Sequence, residues 1–116
     1  VGTQLLQLVK SQPALEAVRR LEGPAPGQLA GLRSTFSGGA ERLSRLTIPD
    51  DLRSAHNLLI GAWRFAENAF GGRYNAAQSG DVSVAWAASS SASGALLLLA
   101  RAQQEFRALL EFPQLR

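Results

Sequence analysis

The chain contains no cysteine, which removes disulfides, thiolate metal sites and cysteine nucleophiles together. It has a single histidine, His56. A hydrolytic triad therefore has one possible base, and a multi-histidine metal centre cannot be assembled from one chain. The Glu-x-x-His pairs that a carboxylate-bridged di-iron bundle needs are missing too. There is no glycine-rich phosphate loop with its lysine, no HExxH and no nucleophile elbow. Lysine is almost absent: Lys10 is the exception among twelve basic residues, the rest being arginine. That skew fits a GC-rich, bacterial coding sequence better than selection for phosphate, because the basic residues do not cluster. Glu16 and Arg20, Glu41 and Arg45, and Arg101 and Glu105 are instead opposite charges four apart, the spacing of solvated helix pairs. With a net charge of only +3, the one-signed stripe of a nucleic-acid footprint is not there. These absences predict a chain that is not an enzyme, holds no metal or cofactor, and does not bind nucleic acid.

What is present suits one globular domain over residues 1–116: 46% hydrophobic and 18% charged residues. Leu5 to Val9 is too short and too lightly flanked for a signal peptide, and localisation is not legible.

Breakers at 23–27, 47–49 and 79–81 divide the chain into four helical stretches. The first is apolar at Leu5, Leu8, Leu15 and Val18, and Ser11-Gln12-Pro13 predicts a kink or restart with Ser11 as cap. The second spaces Leu29, Leu32, Phe36, Gly39, Leu43 and Leu46 by threes and fours. Gly38-Gly39 within it predicts either a close backbone approach or a break. Thr47-Ile48-Pro49-Asp50 reads as a helix start, with Thr47 capping and Asp50 or Asp51 at the positive end.

The third stretch carries an alanine-rich seam of Leu52, Ala55, Leu59, Ala62, Ala66, Ala69 and Ala76, which calls for close helix approach. Asp81 caps the fourth, whose expected seam is Val82, Ala85, Ser89, Ala92, Leu96, Leu99, Gln103, Phe106 and Leu110, up to a stop at Phe112-Pro113. No period-two pattern occurs. The expected fold is all-α, an antiparallel up-and-down four-helix bundle with two long C-terminal helices of about 28 residues. Three long helices plus an N-terminal arm is the alternative. In composition and period the chain resembles alanine-rich bacterial helical-bundle domains, a likeness that carries no site residues.

Two surfaces offer function. His56, Trp63, Glu67, Phe70 and Tyr74, with Ile60, share one flank of the third helix. One histidine, one carboxylate and three rings fit either inter-helix packing or an apolar ligand pocket with one axial ligand for haem. Arg53, Asn57, Arg64 and Asn68 form a wet flank beside it. On the fourth helix, Val82 to Ala100 holds no charge for nineteen residues, the minimum for a membrane span, yet five serines dilute it. Helical phase places Ser83, Ala87, Ser90, Gly94, Leu97 and Leu98 on a face turned away from the seam. That smooth face suits a protein partner or self-association. The leading expectation is a non-catalytic interaction or scaffold module in a larger assembly. The alternatives are the small-molecule or haem-binding bundle and a membrane-associated subunit anchored by 82–100.

Overall fold

Breakers, apolar period and capping produce an all-α bundle in which four helical arms follow the expected divisions, the first two arms each being broken once. The computed structural model describes residues 2–111, with side chains as far as 109. Arm one is α1 (Gly2–Lys10) and α2 (Gln12–Arg19); arm two is α3 (Pro26–Phe36) and α4 (Gly39–Ser44). A 3₁₀ turn at Asp50–Leu52 leads into α5 (Arg53–Ser79), and α6 runs Val82–Glu111. No strand occurs among the described residues. The expected stop at Phe112-Pro113 and the side chain of Leu110 lie outside them.

α5 and α6 form the backbone of the molecule, a rod of 55 × 25 × 21 Å. Gly80 turns the chain between them in the left-handed region (φ 72°), where a β-carbon is disfavoured, and its N–H closes α5 on the Ala76 carbonyl. Asp81 caps α6 as expected: its carboxylate accepts from the Ser83 N–H at 2.9 Å and the Ser83 hydroxyl at 2.7 Å. The hairpin is antiparallel and tightly closed. Gly72 sits against Ala88, Phe65 against Gly94 and Gly61 against Leu98, so positions rise on one helix as they fall on the other. The α5 seam is buried from Ala55 to Ala76 as its period predicts.

Arm one lies along this hairpin and is no loose appendage. Leu8, Leu15 and Val18 are fully buried, and the Ser89 hydroxyl donates to the Arg19 carbonyl at the end of α2. The interruption at residue 11 comes where proline demanded it, but Ser11 does not cap α2. Its backbone is helical (φ −88°, ψ −1°) and its hydroxyl donates back to the Gln7 carbonyl of α1 at 2.9 Å. Thr47 likewise makes no cap. The carboxylates that meet the start of α5 are in the 3₁₀ turn, where Asp50 pairs with Arg53 at 2.7 Å.

Candidate functional site

The break in arm two explains the flank of α5 that faces it. Gly38 is left-handed (φ 75°), which stops α3 and starts α4 in a new direction. At Gly39 a β-carbon would overlap the Trp63 indole at Nε1 and Cε2, so the ring needs glycine beneath it. Ending one helix and starting another strands backbone groups in a buried place. Side chains of α5 take them up. Trp63 Nε1 donates to the Phe36 carbonyl at the end of α3 (3.0 Å). The Gly38 and Ala40 N–H groups donate to Glu67 Oε2 (3.3 Å) and Oε1 (2.9 Å), making Glu67 a cap borrowed from another helix. His56 Nε2 donates to the Leu43 carbonyl near the end of α4 at 2.8 Å. A carbonyl only accepts, which fixes a proton on Nε2, and Nδ1 is buried without a partner.

The remaining members of the flank also pack against arm two, Phe70 fully buried and Tyr74 half-buried. Phe36 is wedged between Trp63 (centroids 4.4 Å) and Phe70 (5.2 Å), both tilted. Arg33 of α3 lies 4.3 Å over the Tyr74 ring. All five residues singled out as a possible ligand pocket, His56, Trp63, Glu67, Phe70 and Tyr74, thus face arm two, strung along α5 over about 27 Å at 1.5 Å per residue. Clefts of about 360 Å³ beside Trp63 and about 250 Å³ beside His56 border this flank.

α6 departs from its expected phase. The buried side chains are Ala88, Ser89, Ala92, Ala95, Leu99 and Ala102, whereas Val82 is 66% exposed and Ala85, Leu96 and Gln103 are half-buried. The seam is rotated by about 50° from the expected one, at 100° per residue. Two neighbours cause this: α5 brings Gly72 onto Ala88, while α2 brings its last carbonyl onto Ser89. The rotation divides the expected outward face. Ser83, Ala87, Ser90 and Leu97 are exposed. Gly94 instead lies under the Phe65 ring, 3.1 Å from where its β-carbon would be, and Leu98 packs over Gly61.

The open surface of α6 is therefore a stripe of Val82, Trp86, Ser90, Ser93, Leu97, Ala100 and Gln104, every one exposed and spaced by threes and fours. Trp86 and Leu97 are 59% and 67% exposed. Trp86 was not singled out in the sequence. The available signal was its register: it falls four after Val82 and four before Ser90, on the side opposite the alanines. The stripe is uncharged through its middle, with Asp81 at one end and Arg101 and Arg107 at the other. The Ser83 hydroxyl, followed by its N–H, holds the Asp81 carboxyl below the ordinary aspartate range. Arg101 makes no ion pair among the described residues.

Among the described residues no three His, Asp or Glu side chains gather as a metal site. One helix, over Val82–Leu109, is long and apolar enough to cross a membrane, and only 28% of that apolar window is buried. Comparison with models of known protein families, with curated proteins and with solved structures returns no match.

Proposed function

We propose that the chain is a non-catalytic helical interaction module that docks a helix of a protein partner along the outer stripe of α6. One observation carries the reading: a heptad-spaced row on a 30-residue helix leaves Val82, Trp86 and Leu97 more than half exposed, opposite the seam that holds the bundle together. A helix needs one such seam to pack and carries two here. A well-folded surface helix sets charge on its outer face, yet this face has none from Val82 to Ala100. Fully burying a side chain the size of leucine or valine is worth about 1.5–3 kcal/mol, and tryptophan is a frequent energetic anchor of interfaces. The small residues between the anchors allow a partner backbone to come close. A reactive constellation is not part of the reading, since the one histidine and the one half-buried carboxylate beside it serve the backbone of arm two.

The test is a photoreactive benzophenone amino acid placed at Trp86, at Leu97 and, as control, at exposed Arg45, with the protein expressed in the cells it comes from. Protein adducts at 86 and 97 but not at 45 are expected. Adducts to lipid alone would favour the apolar length of α6 as a membrane contact, and the absence of adducts at all three would end the docking reading.

A further inference from the structure

We infer that the partner on the α6 stripe is a second copy of this chain, paired antiparallel about a twofold axis that passes between Ser90 and Ser93. The inference rests on the docking role just proposed and adds the identity and register of the occupant. The stripe is close to a palindrome. Trp86 precedes Ser90 by four residues and Leu97 follows Ser93 by four, so reversing the helix about its Ser90–Ser93 midpoint sets each Trp86 beside the copy's Leu97. An isologous twofold interface demands this self-complementarity. The two serines at the crossing are small and exposed, and let the helix backbones approach where the axis passes.

Charge selects the antiparallel direction. In this register Arg101 falls opposite the copy's Val82, between Asp81 and the Ser83 that holds the Asp81 carboxylate. Each arginine therefore meets a carboxylate already ionised and oriented, twice over by symmetry. The two Arg101 side chains are then separated by about 28 Å along the axis at 1.5 Å per residue, far beyond the range of about 8–10 Å over which salt leaves charges coupled. A parallel pair would stack Arg101 on Arg101 and Arg107 on Arg107. The antiparallel pair also opposes the two helix dipoles.

The absence of native cysteine makes the register directly readable. Val82→Cys and Ala100→Cys alter two exposed positions on the same edge of the stripe, which the inferred pairing brings side by side across the copies. Like residues stay more than about 25 Å apart, at 1.5 Å per residue. Light scattering and a short bis-maleimide are applied to each variant alone and to a mixture. Dimer mass, with crosslinked dimer only in the mixture, is the expected result. Leu97→Glu and Trp86→Glu, checked for retained helix by circular dichroism, are expected to return the mass to monomer, each by loss of most of the dimer. A dimer that these variants disrupt but that crosslinks like with like, or not at all, overturns the antiparallel register and leaves the docking face standing. A dimer indifferent to both variants overturns the register and the face together. A chain monomeric at every concentration, whose Trp86 emission shifts to the blue on phosphatidylglycerol vesicles or does not shift at all, overturns the second copy as occupant.

Discussion

Replacing Gly39 by alanine adds one methyl group beneath a buried indole, and the structure sets what that methyl does. The β-carbon would overlap Trp63 at Nε1 and Cε2 and lie 2.7 Å from Cζ2, all parts of a rigid ring that is itself only 4% exposed. The ring cannot bend away, so it has to slide along Phe36, and overpacking of this kind costs about 1–3 kcal/mol. Sliding also pulls Nε1 off the Phe36 carbonyl, now 3.0 Å away, and a buried donor or acceptor left unpaired costs about 1–3 kcal/mol more. The gain from alanine's helix propensity, at most about 1 kcal/mol, is smaller at the first residue of a helix. The net is a loss of about 2–4 kcal/mol, or roughly 8–16 °C in Tm for a chain of this length. Gly31→Ala and Gly71→Ala make the same chemical change where nothing lies within 4 Å, inside α3 and α5. They are expected to raise stability by about 0.5–1 kcal/mol. Thermal and urea unfolding followed by circular dichroism measure all three. In a Trp86→Phe background, the emission of the remaining Trp63 should shift to the red in Gly39→Ala alone. Should Gly39→Ala unfold at or above the wild-type temperature, or move in the same direction as Gly31→Ala, the account of the α3–α4 break is wrong.

Glu67→Gln keeps the shape of the borrowed cap but removes its charge and turns an amide toward the Gly38 or Ala40 N–H, so a loss of about 1–2 kcal/mol in urea unfolding is expected. Asp81→Ala should destabilise α6 in a pH-dependent way. Because the folded carboxyl titrates below its ordinary range, its contribution is complete above that range and is lost as pH falls through the lowered value, so wild type and variant should converge in acid unfolding and differ at neutral pH.

The α5 seam was legible because one apolar period, interrupted only at Gly72-Arg73, runs through a helix with a single dominant neighbour, α6. The phase of α6 was not, because two neighbours pull on it and almost every candidate contact is an alanine or serine that reads alike whether inside or outside. Ala88 and Ala87 are indistinguishable to a pattern; Gly72, sixteen residues away, decides between them. Both cap assignments that failed, Ser11 and Thr47, were local inferences, and at Ser11 the hydroxyl found the Gln7 carbonyl one turn back. Spacing alone places these residues on one flank of α5, but the polar atoms of that flank meet backbone at Phe36, Gly38, Ala40 and Leu43, all from another arm. Nothing in the sequence of α5 announces them.

The cap that α4 takes from Glu67 also sets an order on the way the chain is made. A six-residue helix is below the length at which a helix sustains itself in water, and its starting N–H groups find their acceptor 27 and 29 residues further along the chain. During synthesis from the N-terminus, arm two is therefore complete in sequence well before it can be complete in structure. It waits until α5 has emerged past Glu67. In the finished molecule the Gly38 and Ala40 amides keep the record of that event: their protection from exchange with solvent measures how long arm two stays seated on α5 while the hairpin beneath it remains intact.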